Sequence, residues 1–450
     1  MIQMNLHQMM AITGGSLVGK EARIQGVTTD SRNDCSGRLF VALKGEFHNG
    51  EDYCQQAVEQ GAAAVMVSQA VEVDVPQLIV KDTLVAMQAL ANAWVKQVGT
   101  KVVAITGSNG KTTVKNMLFS VLQQRYQCHA TKGNYNNEIG VPLSLLSIAK
   151  EDEVAVIEMG AAQVGDIAHL TGMIKPDISL VTNIGNAHVG RFGSETNIAT
   201  AKAEIYQALD GKGLAVVNAD SPYCEQFKNQ ISSRIITFGE SEHADFRLCQ
   251  VHDVWVVRTR RGEQIELNLP VIGYHNFLNA TAVVAIAMSL RLTAAEIHKG
   301  LAKFKPEPGR LERHENSAGL VIINDAYNAN PASVEAAIDV LKTQVKPTVL
   351  ILGDMAELGE YAQQMHQQVG GYAQAQDIDH VLAVGEYAAT ICAAIQSNNS
   401  KTDCHAFTRV DELMTHLRDT PPEQGTVLVK GSRSMRLERV VDVLMSGEVA

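Results

Sequence analysis

Residues 102–113 read Val-Val-Ala-Ile-Thr-Gly-Ser-Asn-Gly-Lys-Thr-Thr, an apolar run that passes directly into a glycine-rich turn. The run 102–106 has the composition of a strand buried on both faces. After the turn, apolar residues recur at helical spacing, at Val114, Met117, Leu118, Val121 and Leu122. A strand, a glycine-rich turn and a helix in this order are typical of a phosphate-binding loop.

The turn carries the groups that bind a nucleoside triphosphate. Gly107 and Gly110 let backbone N–H groups turn inward around phosphate oxygens. Lys111 can reach the terminal phosphates, and the Thr112 hydroxyl can ligate Mg²⁺. An ordinary strand–helix turn is the alternative. Because Ile105 stands where the common loop has a glycine, this is the shorter G-x-x-G-K-T form. We assign ATP binding to the whole turn: Gly107, Ser108, Asn109, Gly110, Lys111, Thr112 and Thr113.

The pattern of apolar runs predicts an α/β protein of about three domains. A small α/β domain over 1–82 precedes a central parallel-sheet domain with the phosphate loop over 83–308. Short strand-like runs within 246–270 predict an antiparallel extension of that sheet. A Rossmann-like, doubly wound domain over 309–450 follows the Pro- and Gly-containing linker 305–309.

Composition narrows the class of protein further. The net charge of −11 argues against broad nucleic-acid binding. Seven scattered cysteines without a C-x-x-C pair indicate reduced thiols rather than a zinc or redox site. The amino terminus lacks the pattern of a signal peptide, and the apolar stretch 280–290 is too short to span a bilayer. We therefore expect a cytoplasmic protein without membrane insertion.

Several polar residues lie at predicted strand ends, where ligands bind in doubly wound sheets. Glu158 follows the strand after the phosphate loop and could ligate Mg²⁺; a solvent-facing carboxylate is the alternative. His188 follows the next strand, and there a loop residue without a role is the alternative. Lys202 has the pattern of an exposed helical lysine.

Further polar residues begin or precede helices. Asn276 and Asn279 share one helix face, with capping by Asn276 as the alternative. In the last third, three polar clusters follow strands and predict one side of a cleft, although N-capping explains part of them. The clusters are 325–331, 353–359 and 430–433.

Taken together, these segments resemble the Mur ligases over nearly the whole chain. The resemblance rests on an ordered set of motifs: TDSR 29–32, FVALKG 40–45, GSNGKTT 107–113, GNYNNEIGVP 133–142, EMG 158–160, NIGNAH 183–188, AKAEI 201–205, GR 309–310, DAYNANPAS 325–333, GDMAELG 353–359 and KGSR 430–433. One departure is Glu51, which stands where the family segment carries His.

The resemblance implies a role for each matching residue. Thr112, Glu158, His188 and Lys202 match the metal site, with Lys202 carbamylated, and Lys111 matches the catalytic lysine. The implied nucleotide contacts beyond the loop are Asn276, Asn279, Arg310 and Asp325. The implied substrate contacts are Ser31, Arg32, Lys44, Asn137, Asn328 and Asn330.

Resemblance to the branch of the family that has these motifs implies amide formation through an acyl phosphate. ATP with Mg²⁺ would activate UDP-MurNAc-tripeptide, and D-alanyl-D-alanine would attack it; we expect a monomer. Two alternatives remain open: a sister ligase with a different acceptor, and a P-loop switch or motor that hydrolyses ATP alone. Against one sister, the enzyme that adds diaminopimelate, the chain shows Asn-Ala-Asn-Pro at 328–331 rather than Asp-Asn-Pro-Arg.

Overall fold

Three main sheets organise the protein. The computed structural model describes residues 1–397 and 401–446. A five-stranded sheet comes first, a nine-stranded sheet second and a six-stranded sheet last, with a two-stranded ribbon near the amino terminus. This arrangement confirms the predicted α/β class. The domain boundaries after residues 82 and 308 stay predictions.

The first unit is built of short strands around a parallel core. Its strands are β1 (Gln3–Asn5), β2 (Ser16–Val18), β3 (Arg23–Gln25), β4 (Val27–Thr28), β5 (Leu39–Val41), β6 (Ala64–Val67) and β7 (Gln77–Ile79), and its helices are α1 (Leu6–Thr13) and α2 (Cys54–Glu59). Strands β4 to β7 run parallel, whereas β2 pairs antiparallel with β7. Ser31, Arg32 and Lys44 therefore follow two neighbouring parallel strands at the same edge.

Helix α3 (Thr83–Val98) joins the first unit to the second. It begins where the Asp82 carboxylate accepts hydrogen bonds from the N–H groups of Leu84 and Val85, at 2.9 and 3.0 Å. Trp94 is fully buried, and its indole N–H donates to the Ile148 carbonyl at 2.9 Å. A single apolar core runs from the first sheet across α3 to one face of the central sheet.

The central sheet has the phosphate-loop strand in its interior. Its strands are β8 (Lys101–Thr106), β9 (Cys128–Ala130), β10 (Val154–Glu158), β11 (Ile178–Val181), β12 (Leu214–Asn218), β13 (Arg234–Gly239), β14 (Phe246–Val251), β15 (Val254–Thr259) and β16 (Gln264–Glu266). Its helices are α4 (Lys111–Leu122), α5 (Gly140–Leu146), α6 (Asp166–Met173), α7 (Val189–Phe192), α8 (Glu195–Gln207), α9 (Cys224–Gln230), α10 (Tyr274–Ser289) and α11 (Ala294–Lys303).

The pairing within this sheet places the candidate residues side by side. Strand β8 lies between β10 and β11, and all three run parallel. The residues that follow these strands, including Glu158 and His188, therefore meet at one sheet edge. The predicted extension is confirmed, because β15 pairs antiparallel with both β14 and β16.

The last unit is a doubly wound sheet. Its strands are β17 (Glu312–Glu315), β18 (Val321–Asp325), β19 (Thr348–Gly353), β20 (His380–Val384), β21 (Asp403–Phe407) and β22 (Thr426–Lys430), and its helices are α12 (Pro331–Leu341), α13 (Ala362–Ala375), α14 (Ala388–Gln396), α15 (Val410–Asp419) and α16 (Glu438–Ser446). Five strands are parallel, and β17 pairs antiparallel with β18 at the edge. Ile322 and Ile323 belong to different apolar cores, as expected for a sheet covered on both faces.

The cysteines differ from the expectation of seven reduced thiols. Cys392 in α14 and Cys404 in β21 form a disulfide, with 5.5 Å between their Cα atoms. The other five are free: Cys35, Cys54, Cys128, Cys224 and Cys249. Expecting only free thiols was wrong for this pair, because only the packing of α14 against the edge strand brings the two sulfur atoms together.

Candidate active site

The phosphate loop has a backbone shape that requires its two glycines. Gly107 and Gly110 have φ values of 151° and 79°. A Cβ at Gly107 would lie 1.8 Å from Thr182 Oγ1, and one at Gly110 would lie 2.7 Å from Asn279 Oδ1. Helix α4 begins directly after Gly110, and no side chain caps it. Its first N–H groups are therefore free to face an anion.

Hydrogen bonds hold the loop against the segment that follows β11. Ser108 Oγ donates to the Gly185 carbonyl at 2.9 Å. The Asn109 N–H donates to Asn183 Oδ1 at 2.9 Å, and the Thr182 hydroxyl donates to the Asn109 carbonyl at 2.6 Å. Hydrogen bonds thus anchor the loop at both of its central residues, Ser108 and Asn109.

Lys111 lies across this loop. Its Nζ donates to the Gly107 carbonyl at 2.7 Å and to the Ser108 carbonyl at 3.4 Å. Burial lowers the pKa of Lys111, and the nearby Glu158 carboxylate opposes this effect. An ammonium in this position can replace a carbonyl contact with a contact to phosphate oxygens.

Glu158 is a buried carboxylate, 2% exposed, at the end of β10. Its Oε1 accepts a hydrogen bond from Asn136 Nδ2 at 2.8 Å. Its Oε2 lies 3.8 Å from Lys115 Nζ and has no hydrogen-bond partner among the described residues. The solvent-facing alternative for Glu158 is therefore excluded, and one oxygen is free to take a ligand.

His188 is the N-cap residue of α7 and has a left-handed φ of 61°. Its Nδ1 contacts a carboxylate oxygen of Glu357, which belongs to the last unit. Burial lowers the pKa of His188, whereas Glu357 opposes the shift. The imidazole thus lies in the cleft between two units.

Lys202 is buried, whereas its sequence pattern predicts an exposed side chain. It is 2% exposed, on the inner face of α8. Burial and, secondly, the charge of Lys111 lower its pKa well below the ordinary value. Because the side chain is buried, the alternative of an exposed helical lysine is excluded.

The donors that the sequence assigned to Mg²⁺ fit a hard cation. The free Glu158 oxygen and the Thr112 hydroxyl are oxygen donors, and His188 contributes a ring nitrogen. Within the described ranges, no three His, Cys, Asp or Glu side chains cluster tightly enough to hold a metal alone. Thr112, Glu158 and His188 therefore need further oxygen ligands to complete a metal site, and bound phosphates would supply them.

The last unit reaches into the same cleft from the opposite side. An Arg310 guanidinium nitrogen donates to Thr112 Oγ1 at 3.2 Å, and the guanidinium lies 4.2 Å from the ring centre of Tyr327. Asp325 is paired with Lys430 at 2.5 Å and accepts from the Leu311 N–H at 3.1 Å. These contacts place the Arg310 guanidinium against the Thr112 hydroxyl and keep Asp325 fixed.

The asparagines have mixed roles. Asn276 is buried in the first turn of α10, and its side-chain amide donates to the Ile272 carbonyl at 2.7 Å. Asn330 caps α12, as the capping alternative predicted. The Asn328 carbonyl accepts from Lys430 at 3.1 Å, and Asn137 Oδ1 accepts from the Gly140 N–H at 2.9 Å.

One cleft of about 880 Å³ brings most of the predicted site together. Its lining includes the following predicted residues: Ser108, Asn109, Gly110, Lys111, Thr112, Thr113, Asn137, Glu158, His188, Asn276, Asn279, Arg310, Asp325, Asn328 and Asn330. Five predicted residues lie outside that lining: Gly107, Lys202, Ser31, Arg32 and Lys44. Gly107 is the first residue of the loop, and Lys202 lies close enough to influence the pKa of His188.

The three predicted residues of the first unit have contacts within that unit, and Lys44 forms an isolated antiparallel β-bridge with Asn49. Ser31 Oγ donates to Gln56 Oε1 at 2.8 Å, and Arg32 pairs with Asp30 at 2.8 Å. Glu51, at the position of the family His, accepts hydrogen bonds from the Ser68 N–H and hydroxyl at 2.8 and 2.6 Å. Although burial would raise its pKa, these and further bonds lower it. Glu51 therefore anchors the end of β6.

Sequence reasoning missed two contacts that hold the site. Lys115 is 1% exposed and supports Glu158. A signal was present, because Lys115 lies three residues before Leu118 on the apolar face of α4. Glu357 belongs to the predicted cleft cluster 353–359, but its contact with His188 could not be found this way, since it joins residues far apart in the chain.

Comparison with known proteins agrees with this geometry. Family models match in order: the Mur ligase family catalytic domain over 23–106, the Mur ligase middle domain over 105–287 and the Mur ligase glutamate ligase domain over 309–433. A protein of Escherichia coli (strain K12), UDP-N-acetylmuramoyl-tripeptide–D-alanyl-D-alanine ligase, is 40% identical, and the match covers 99% of both chains. The chain belongs to the Mur ligase family.

Other relatives of this Mur ligase extend the comparison. A Bacillus subtilis (strain 168) protein of the same name is 35% identical over 99% of this chain and 98% of its own. The crystal structure of MurF from Acinetobacter baumannii is 32% identical, with a TM-score of 0.91 over 99% of both chains. The MurF ligase of Thermotoga maritima in complex with ADP is 27% identical, with a TM-score of 0.81 over 94% of this chain and 97% of that one. In the described part of this Mur ligase, every helix is too short or too polar to cross a bilayer.

Proposed function

We propose that the protein joins D-alanyl-D-alanine to UDP-N-acetylmuramoyl-tripeptide in an ATP-dependent, ADP-forming reaction. The observation that carries this proposal is the full-length match to ligases of that name, at 40% and 35% identity. It is supported by a cleft in which a phosphate loop of the central unit faces Arg310 and Asn330 of the last unit.

The first half of the reaction transfers a phosphoryl group. The terminal carboxylate of the tripeptide attacks the γ-phosphorus of ATP, the bond to the β,γ-bridging oxygen breaks, and an acyl phosphate and ADP result. The loop N–H groups and Lys111 bind phosphate oxygens, so that charge developing in the transfer meets prearranged donors. Thr112, Glu158 and His188 would hold Mg²⁺, which supplies further positive charge against those oxygens.

The second half forms the amide. The free amine of D-alanyl-D-alanine attacks the acyl carbon, inorganic phosphate leaves, and the amine loses a proton. Water would hydrolyse the same acyl phosphate, so the cleft must exclude it. Arg310 and Asn330 contact the phosphate loop from the last unit, which closes the cleft over the reacting groups.

The first unit binds the uridine diphosphate end of the substrate in this proposal. Ser31, Arg32 and Lys44 follow parallel strands at one sheet edge, where ligands bind in such sheets. Arg32 is 80% exposed at its side chain and can exchange Asp30 for a phosphate. Because these residues lie outside the main cleft, the long substrate must reach from the first unit into it.

Carbamylation of Lys202 is part of the same proposal. Addition of CO₂ to the neutral amine forms an N–C bond, releases one proton and leaves a carboxylate-like group. The buried amine with its lowered pKa favours that reaction, and the product would supply oxygens for the cation. We further propose a cytoplasmic monomer that acts in peptidoglycan precursor synthesis.

The deciding experiment measures phosphate release with ATP, Mg²⁺ and each peptide substrate in turn. We expect release only when UDP-MurNAc-tripeptide and D-alanyl-D-alanine are both present, with the ligated product detected by mass. Release with ATP alone would favour a switch or motor. Release with another acceptor, such as D-glutamate or diaminopimelate, would favour a sister ligase.

A further inference from the structure

The short helix α7 of the central unit touches the loop 357–361 of the last unit at backbone level. The Gly190 N–H donates to the Glu357 carbonyl at 3.1 Å. A Cβ at Gly190 would lie 2.6 Å from the Gly359 nitrogen, and one at Gly359 would lie 3.0 Å from the Gly190 Cα. Two glycines from different units therefore allow an approach that any side chain would prevent.

The loop on the opposite side is rigidly held. The Met355 N–H donates to His366 Nε2 at 2.9 Å, and the Ala356 N–H donates to Ser432 Oγ at 2.7 Å. Asp354 accepts from the Glu386 N–H at 2.8 Å. Glu357 follows with a left-handed φ of 62°. A residue in this strained conformation at the end of an anchored segment is typical of a functional position.

The Glu357 carboxylate bridges two residues of the central unit. One oxygen contacts His188 Nδ1, and the other lies 3.3 Å from an Arg191 guanidinium nitrogen. A histidine that ligates a metal is commonly oriented by a carboxylate at its other ring nitrogen, which leaves the remaining nitrogen for the ligand. The Glu357 carboxylate lies at the corresponding nitrogen, Nδ1, of His188.

We propose that Glu357 is a positioning residue that orients the His188 imidazole, with Nδ1–H toward Glu357 and Nε2 toward the cleft, only when the last unit is seated on α7. This inference rests on the proposed function for the role of His188. According to this proposal, the site is complete only when the Gly190–Gly359 contact is made. When the last unit moves away from α7, His188 lacks the Glu357 carboxylate.

The test uses protein with ¹⁵N-labelled histidine rings and reads the tautomer of His188 by NMR, at one neutral pH, without substrates. The His188→Gln variant assigns the signal. We expect wild-type His188 to be protonated at Nδ1 and Glu357→Gln to mix the tautomers. Gly190→Ala, which suits a helix and leaves Glu357 intact, should have the same effect by keeping the units apart.

Two variants serve as matched controls. Glu360→Gln changes an exposed carboxylate in the same loop, and Gly172→Ala adds a methyl group where no atom lies within 4 Å. Both should retain the wild-type His188 signal. A wild-type signal in both Glu357→Gln and Gly190→Ala would overturn the proposal.

Kinetics supply a second readout. Glu357→Gln should lower kcat by about 10- to 100-fold while the KM for ATP stays within about threefold, because the loop that binds ATP is untouched. A rise in KM alone would contradict a positioning role. The NMR signal can be read without peptide ligation. The positioning role of Glu357 can therefore fail while the proposed function holds, and the proposed function can fail while the positioning role holds.

Discussion

Asn109 in the phosphate loop and Asn330 at the start of α12 pair their side-chain amides across 221 residues of chain. Asn330 Nδ2 lies 2.7 Å from Asn109 Oδ1, and Asn109 Nδ2 lies 3.4 Å from Asn330 Oδ1. The backbone of Asn109 is held separately by Asn183 and Thr182. The amide pair therefore connects the phosphate loop to the last unit without shaping the loop.

Asn109→Ala should weaken this connection and leave the loop intact. Loss of a hydrogen bond of about 1 kcal/mol lowers the population of the closed arrangement about fivefold. We expect kcat to fall by roughly that factor, with a thermal unfolding midpoint close to wild type. Ser333→Ala, which alters the cap of α12 but not the loop, is the control. Unchanged turnover in Asn109→Ala would show that the pair has no part in closure.

Lys111→Ala should abolish ligation while the protein stays folded. Its ammonium lies across the loop, and phosphate transfer depends on that charge. Circular dichroism should be unchanged, and Lys101→Ala, an exposed lysine at the start of β8, should remain active. Activity retained within about tenfold, near 1.4 kcal/mol of barrier, would remove Lys111 from the catalytic assignment.

Lys202 should carry the mass of one added CO₂ in active enzyme. Depletion of CO₂ and bicarbonate should slow the wild type reversibly, and Lys202→Ala should lose activity although its fold is retained. Lys212→Ala, at an exposed lysine nearby in sequence, should respond like wild type. An active, nucleotide-bound enzyme whose Lys202 is unmodified would refute the carbamate.

Lys115→Met should destabilise the protein and misplace Glu158. Removing one partner of a buried ion pair leaves the other charge unpaired, which costs about 3 kcal/mol or more. Urea unfolding should show this loss, whereas Lys101→Met should show almost none. Equal stability of the two variants would mean that Lys115 does not stabilise the folded protein through Glu158.

His366 should make the last unit sensitive to acid. Burial lowers its pKa; the hydrogen bond to Ala362 and the charges of Asp354 and Glu386 oppose that shift. The unfolded chain thus takes up a proton at higher pH than the folded chain. Stability is therefore full above the unfolded pKa of about 6.5 and falls as the pH drops below it.

The variant His366→Gln can still accept from the Met355 N–H but cannot gain the proton. We expect its unfolding midpoint to fall less than that of wild type between about pH 7.5 and pH 5.5. His298→Gln, at an exposed histidine, should keep the wild-type dependence. If the unfolding midpoint changes with pH equally in wild type and in His366→Gln, His366 is not the source of the acid sensitivity.

The sequence by itself determined the class of fold and the position of the phosphate loop. Strand β8, the turn and α4 are local, because one run of residues contains the apolar strand, both glycines and the periodic helix face. The strand ends that carry Glu158 and His188 were predictable for the same reason. Family resemblance was needed for Lys202, whose pattern predicts an exposed residue although it is buried.

Only the tertiary structure decided how the units meet. The contacts Asn109–Asn330, Arg310–Thr112 and His188–Glu357 join residues 221, 198 and 169 positions apart, and no local pattern encodes such distances. The disulfide between Cys392 and Cys404 and the use of Glu51 as an anchor also follow from packing. Periodicity specifies which face of an element is buried, but the partner of that face depends on the whole chain.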